Sequence, residues 1–173
     1  MCIPSQPVAE TKDPAYNCGR LLSIFDSLQR SAHDGKLEGA TIAERYFGSA
    51  SAAPNAAFSI LWRLHHHHLK KLRQKDTGKG AAHRIKQSIM EVCAKFQQKS
   101  PVEGQPTDAP PQFPRTFTLV EQGRFALGFY HQQAVRAAAI KAWLERQQGG
   151  NTLETARAWA VGYQERHRKK RRG

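Results

Sequence analysis

Four consecutive histidines, His65 to His68, are the residues of this sequence whose type best suits metal chemistry, because imidazole is the commonest side-chain ligand of metal ions. In a helix, successive side chains lie about 100° apart, so only His65 and His68 would share a face. One histidine pair without a cysteine or carboxylate beside it is a poor metal site. We therefore predict no metal site, and a metal-dependent nuclease built on the run is the weakest of three hypotheses.

Other catalytic signals are also missing from the sequence. It contains no GxxxxGK[ST] loop, GxGxxG turn, HExxH or GxSxG motif, and its acidic residues are scattered. The cysteines Cys2, Cys18 and Cys93 are odd in number and far apart, which favours neither a disulfide framework nor a CxxC metal site. These observations predict a protein that is not an enzyme, binds no cofactor and works in a reducing compartment.

The charge of the chain is concentrated in two blocks. The 173 residues include 27 Lys and Arg against 14 Asp and Glu, a formal charge of +13. Residues 61–100 carry ten basic and two acidic side chains, and residues 151–173 carry seven and two, while the rest of the chain is near neutral. Concentrated positive charge favours a binding surface for a polyanion over a solubilising coat.

The first basic block has the spacing of a phosphate-binding helix. Arg63, His66, His67 and Lys70 stand at positions i, i+3, i+4 and i+7, which repeat about every 5 Å along one face. His65 and His68 fall instead in an apolar stripe with Phe58, Leu61, Leu69 and Leu72, so we predict that both pack at the edge of the core.

The second block is a C-terminal run that could clamp nucleic acid or could be a solvated terminus. No zinc-finger, homeodomain or RNP pattern is present, so binding should not depend on base sequence. The predicted nucleic-acid-binding residues are Arg63, His66, His67, Lys70, Lys71, Arg73, Lys75, Lys79, Arg84, Lys86, Arg168, Lys169, Lys170, Arg171 and Arg172.

Apolar spacing and capping residues predict an all-α fold, a bundle of about five to six helices. Pro14 and Pro54 suit the first turn of a helix, and Thr41 with Glu44 and Thr118 with Glu121 form capping-box patterns. The expected helices cover residues 15–33, 41–47, 54–74, 81–99 and 118–147, and a sixth begins at 151.

Small and glycine-rich segments are expected to separate these helices. The run 48–53 should be a tight connection, Gly78 and Gly80 should stop the third helix, and Gly149-Gly150 should end the fifth. Five of the nine prolines lie between Pro101 and Pro114, which predicts a loop at 100–117. The predicted organisation is a flexible N-terminus (1–13), a helical bundle (14–147), and a C-terminal helix with a basic tail (148–173).

The fifth helix carries both aromatic residues and internal glycines. A stripe that includes Leu119, Phe129 and Tyr130 is expected to face the core, with Gly128 near the other side. Core packing is also the expected role of Phe125. Glycine weakens a helix interior, so Gly123 and Gly128 should allow a close approach by a neighbouring helix or subunit.

Four segments carry a family resemblance. Residues 16–22 (YNCGRLL), 40–52 (ATIAERYFGSASA), 67–72 (HHLKKL) and 121–132 (EQGRFALGFYHQ) resemble, in order and approximate spacing, the C-terminal region of the type I-C CRISPR Cascade large subunit. The resemblance covers about residues 13–133, and its last segment is the most specific. In that family the region is also translated separately from an internal start as the small subunit, and a chain beginning at Met1 is what we expect of such a product.

The resemblance implies a fold, a role and a set of partners. Small subunits of this kind are non-catalytic helical bundles beside the hybrid of guide RNA and target DNA, and they help to hold the displaced DNA strand. The implied partners are the Cascade large and backbone subunits, guide RNA, target DNA, displaced single-stranded DNA and another copy of the chain. The Pro-rich loop and residues 134–173 depart from the family pattern.

Two functions are therefore carried forward. The leading hypothesis is a subunit that stabilises the R-loop through phosphate contacts. The alternative is a protein-protein scaffold in the same or another ribonucleoprotein, with little direct DNA contact. No apolar run reaches the roughly 20 residues that a membrane span needs, and residues 1–20 carry no secretion signal, so we expect a soluble cytoplasmic protein without a membrane partner.

Overall fold

The structure is a computed structural model that describes residues 12–75, 78–96 and 111–170, with side chains described as far as residue 146. Every regular element in these ranges is a helix, which confirms the all-α prediction. The helices are α1 (Pro14–Ala32), α2 (Ile42–Ala52), α3 (Pro54–Arg73), α4 (Gly78–Ala94) and α5 (Leu119–Lys170). The chain divides into two compact units, Met1–Gln133 and Ala134–Gly173. Residues 1–11 of the predicted N-terminus and 100–110 of the predicted loop lie outside the described ranges.

Helix α1 is the centre of the first unit. It contacts α2, α3 and α4, and its residues are buried around most of its circumference. Its first turn combines the predicted Pro14 with a cap that the prediction missed, the Asp13 carboxylate, which accepts the Tyr16 N–H at 3.0 Å. The helix ends at Ala32, one residue before its predicted end, and the following Asp34 and Gly35 both have positive φ.

Helix α2 begins at the predicted capping box. The Thr41 hydroxyl accepts the Glu44 N–H and the Glu44 carboxylate accepts the Thr41 N–H. Side chains of α1 accept the next two N–H groups, since the Gln29 amide oxygen lies 2.7 Å from the Ile42 nitrogen and an Asp26 oxygen lies 3.0 Å from the Ala43 nitrogen. The start of α2 is thus fixed to α1.

The small-residue run 48–53 is not the predicted connection, because α2 continues through it to Ala52. Ala50 and Ser51 are buried within it, and α2 contacts both α1 and α3. Alanine is the best helix former, so only Pro54, at the first turn of α3, sets the break.

Helix α3 confirms the prediction to within one residue, but the predicted bounds of α4 are wrong. Gly78 begins α4 rather than stopping α3, and α4 ends at Ala94, five residues before the predicted end. A Cβ atom on Gly78 would lie 3.0 Å from the Leu72 carbonyl carbon, so glycine allows α4 to start directly against the last turn of α3.

The segment that follows the Pro-rich region is packed on the bundle. The Phe113 ring stacks on Phe58 with centroids 4.6 Å apart, and it lies 5.4 Å from Phe96 at the end of α4. The Pro114 carbonyl accepts the Asn55 N–H, and the Phe117 N–H donates to the Ala52 carbonyl, each at 3.0 Å. Residues 113–117 are therefore held across the α2–α3 junction.

Helix α5 begins at the predicted Thr118 and Glu121 capping box. It does not end at Gly149-Gly150, so the predicted fifth and sixth helices are one helix. Each glycine in a helix interior lowers helix stability by about 1 kcal/mol relative to alanine, and the helix-forming residues on both sides outweigh this cost. Core packing is confirmed for Phe125 and Phe129, but the predicted stripe is wrong for Leu119 and Tyr130, which are 83% and 60% exposed.

The buried face of α5 in the first unit is formed by Phe125, Gly128 and Phe129. Two glycines make its crossing with α1 possible: a Cβ on Gly128 would lie 2.8 Å from the Tyr16 carbonyl carbon, and one on Gly19 would lie 2.8 Å from that of Phe125. The prediction of a close approach is confirmed for Gly128. A Cβ on Gly123 would have no neighbouring atom within 4 Å, so no helix of the described chain approaches it.

Candidate nucleic-acid interface

Helix α3 presents one row of exposed cationic groups. Arg63, His66, His67, Lys70 and Arg73 are all exposed, and we call them the cationic row. The opposite side of α3 is in the core, where His65 and His68 are 3% and 7% exposed, as predicted. The helical periodicity of α3 therefore separates the four histidines into two buried and two exposed side chains.

Helix α4 adds to this charge. It packs against α3, and Lys79, Arg84 and Lys86 are exposed on it. His83, which the prediction omitted, is exposed as well. Its signal was available in the sequence, since it lies one helical turn from Lys79 and Lys86.

Little negative charge opposes these cations on their own helices. Helix α3 contains no acidic residue and α4 contains only Glu91. Their positive charge is thus available to an external anion rather than neutralised along the helix.

Two of the predicted residues are placed differently. Lys71 and Lys75 are half-buried, and both reach the C-terminal end of α1. Lys71 Nζ lies 3.2 Å from His33 Nδ1, while Lys75 Nζ pairs with an Asp34 carboxylate oxygen at 2.7 Å and donates to the Ser31 carbonyl. The hydrogen bond from Lys75 holds the pKa of Asp34 below its usual value. The structure does not bring these two lysines into the cationic row.

Burial and neighbouring cations lower the pKa of two histidines, His33 and His68. Desolvation lowers the pKa of His68 to about 4, and His33, His67 and Lys71 act in the same direction. The pKa of His33 is lowered first by desolvation and then by Lys71 and Lys75. His33 and His68 lie edge to face, with ring centroids 5.6 Å apart. Both are thus favoured in their neutral form.

The C-terminal block is only partly described. Residues 168–170 belong to α5, but nothing is described of the side chains of Arg168, Lys169 and Lys170. Arg171 and Arg172 lie outside the described residues. Their role in binding stays a prediction.

Two of the three cysteines, Cys18 and Cys93, are enclosed in the core. Cys18 and Cys93 are buried free thiols in the main core, and burial raises the pKa of Cys93 to about 12 and that of Cys18 as well. A protonated, enclosed thiol is a poor nucleophile. Among the described residues no three His, Cys, Asp or Glu side chains are grouped so that they could hold a metal ion.

A second surface lies on α5, and the sequence indicated it only through Gly123, as a place for close approach by a neighbouring helix or subunit. On the first turns of α5, Leu119, Val120, Gly123, Leu127 and Tyr130 are exposed within about 100° of the helix circumference, and we call them the apolar face of α5. Helical periodicity predicted that α5 has a core stripe, but it assigned Leu119 and Tyr130 to the wrong side. Contiguous exposed apolar groups of this kind mark interaction sites.

Fold and surface together define an all-helical protein that carries the cationic row on α3, further exposed cations on α4 and an apolar face on α5. Residues 8–137, about three quarters of the chain, match the family described as CRISPR-associated protein (Cas_Csd1). The chain belongs to this CRISPR-associated family. No curated protein matches the sequence. None of the helices in the described part of the chain combines the length and apolarity needed to cross a bilayer.

Proposed function

We propose that this protein is a non-catalytic small subunit of a type I-C Cascade complex, and that it stabilises the R-loop by binding the backbone of nucleic acid. The observation that carries the proposal is the cationic row of α3, whose five side chains are exposed and which has no acidic residue on its own helix. Membership of a CRISPR-associated family gives this surface a nucleic-acid context.

The geometry of the row suits a phosphate backbone. Arg63 and Lys70 are seven residues apart, about 10 Å along the helix axis, with His66 and His67 between them. A continuous series of donors on this scale tracks successive phosphates, whereas base readout needs groups aimed at base edges. The displaced non-target strand is therefore the ligand that we propose, held without sequence preference.

The test is single-strand binding by purified protein over a salt series. Each lost phosphate contact reduces the slope of log K against log salt by about 0.7 for a single strand. A triple variant with Arg63, Lys70 and Arg73 changed to Glu should therefore lose about 2 in slope as well as affinity. All three side chains are exposed, so the fold should be retained.

A matched control separates this surface from net charge. Lys36, Arg45 and Arg115 are exposed cations outside α3 and α4, and changing them to Glu alters the net charge of the chain by the same amount. The control variant should keep most of the wild-type slope of log K against log salt. Equal losses in the two triple variants would show that the proposed surface has no special role.

A second candidate function is supported by the apolar face of α5. A scaffold subunit needs such a face for contact with another protein subunit of the complex, and the exposed Gly123 would allow close backbone approach. A Leu127→Glu variant should then be lost from nuclease-treated effector complexes while it keeps its affinity for single-stranded DNA. Retention of this variant in the complex, with its DNA affinity also unchanged, would favour the first function alone.

A further inference from the structure

Three aromatic rings in successive contact, one pair parallel and the next tilted, run from the core to the cationic row, and we call them the stack. It begins at Phe25, whose ring lies parallel to His65 with centroids 5.0 Å apart and an interplanar angle of 7°. His65 in turn lies 4.0 Å from the ring of His66, at an angle of 37°. The three rings therefore pass from a fully buried phenylalanine, through a buried imidazole, to an exposed one.

Trp62 supports the outer rings of this stack from one side. It meets His65 at 4.5 Å and His66 at 6.1 Å, at 63° and 83°, so that both contacts are edge-to-face. Trp62 itself packs on Phe25 at 6.3 Å. The inner rings are thus packed in place before any ligand arrives, which reduces the entropy lost when a further ring adds to them.

His66 stands where a nucleic-acid strand would pass. Arg63 precedes it by three residues and Lys70 follows it by four, so cationic groups lie one helical turn away on each side. Among the described residues, Trp62 and His65 are the rings packed on His66, and both lie on the core side. His66 is itself exposed, so its ring is accessible to a further ring from solvent.

We propose that His66 is a base-stacking residue, and that an unpaired nucleobase of single-stranded nucleic acid adds to the stack formed by Phe25, His65 and His66. The inference rests on the proposed function, since it requires a strand on the cationic row. Stacking on an aromatic ring accepts any base, because every base has a π-face. Bases of a duplex are already stacked and paired, so His66 would select single strands over duplexes, which a row of charges alone does not do.

The neighbouring His67 provides the contrast. It is also exposed on α3, but its ring meets His68 edge to face at 5.6 Å and 73°, outside the stack. His66 and His67 therefore differ in ring environment while sharing residue type, helix and exposure.

The experiment compares a single-stranded DNA oligonucleotide with the same backbone lacking bases at its central positions, at one pH and salt concentration. We expect the wild-type chain to bind the strand with bases about 5- to 150-fold more tightly, the range found for one stacked base. His66→Ala should reduce this preference to near one, and its affinity for the abasic strand should match that of His67→Ala, which removes the same group from the cationic row. His67→Ala should keep the preference.

Two further variants separate the ring from its charge. His66→Phe should keep the preference for bases, and His66→Lys should lose it while binding the abasic strand at least as tightly. A preference that survives in His66→Ala, or falls equally in His67→Ala, overturns the stacking proposal and leaves phosphate binding intact. Absence of binding to both strands by the wild-type chain overturns the proposed function together with this inference.

Discussion

Replacing Gly128 with alanine should destabilise the first unit, although alanine is the better helix former. The new Cβ would lie 2.8 Å from the Tyr16 carbonyl carbon, where ordinary contact begins at 3.4 Å. Both partners are helix backbone, so neither can rotate away, and α1 and α5 would have to separate. This displacement would loosen Phe125 and Phe129, which pack edge to face on Phe47 at 5.4 and 5.2 Å.

The size of this effect can be isolated with a matched substitution. Overpacking a tight core costs about 1 to 3 kcal/mol. Because the backbone opposite Gly128 is rigid, we expect the steric cost of Gly128→Ala to be near 3 kcal/mol, at about the top of that range. Gly123→Ala makes the same chemical change in the same helix with open space around it, and it should stabilise by about 1 kcal/mol. Because the gain in helix propensity is common to both variants, their free energies of unfolding should differ by the steric cost alone, about 3 kcal/mol.

Urea unfolding followed by circular dichroism at 222 nm measures this difference. The wild-type chain should have a midpoint between those of the two variants. If Gly128→Ala were as stable as Gly123→Ala, the close crossing of α1 and α5 would be refuted, since nothing else distinguishes the two glycines so sharply.

Three other predictions concern the core and its caps. His68 has a pKa of about 4 in the folded chain against about 6.5 for an ordinary histidine. Protonation therefore favours the unfolded chain, so the stability that neutral His68 provides is complete above about pH 6.5 and is lost as the pH falls toward about 4. Urea midpoints should fall by the equivalent of about 2 to 3 kcal/mol over this range, and less in His68→Gln. Thr41→Ala removes the capping box of α2 and should cost about 1 kcal/mol in the same assay. Phe113→Ala removes a buried stacked ring and should cost about 3 kcal/mol, with faster tryptic cleavage at the exposed Arg115, whereas unchanged cleavage would contradict the anchoring role of Phe113.

The helices that could be predicted well are those whose ends and faces are both defined locally. Helix α3 combines proline in its first turn with a regular apolar stripe, and α2 starts at a reciprocal capping box. Each of these features acts within one or two helical turns, so the sequence alone contains the information. The burial of His65 and His68 beneath an exposed His66 and His67 followed from the same periodicity.

Glycines were harder to interpret, because their effect depends on what lies opposite. Gly128 permits a helix crossing, Gly78 starts a helix against its neighbour, and Gly149-Gly150 interrupts nothing. The same residue type thus has three roles, and only tertiary contacts distinguish them. The side of α5 that faces the core was similarly ambiguous, since apolar residues occur around most of its circumference.

The candidate site shows the same limit. The exposed cationic row follows from helical spacing, but Lys71 and Lys75 look equivalent to its members in sequence. Their partners His33 and Asp34 lie about 40 residues earlier, at the end of α1. No local pattern contains that information, because pairing with a distant helix depends on how α1 and α3 pack.

The packing of Phe113 against Phe96 and Phe58 has a practical consequence. Phe96 and Phe113 lie on either side of residues that are outside the described ranges, and their ring centroids are 5.4 Å apart. This contact fixes the distance that the intervening residues must span. For a loop of the kind that the prolines predict at 100–117, closure entropy grows only with the logarithm of length, so doubling the loop would cost about 0.6 kcal/mol. We therefore expect an affinity tag or a fluorophore-labelled peptide inserted between Phe96 and Phe113 to leave the cationic row and the apolar face of α5 in place.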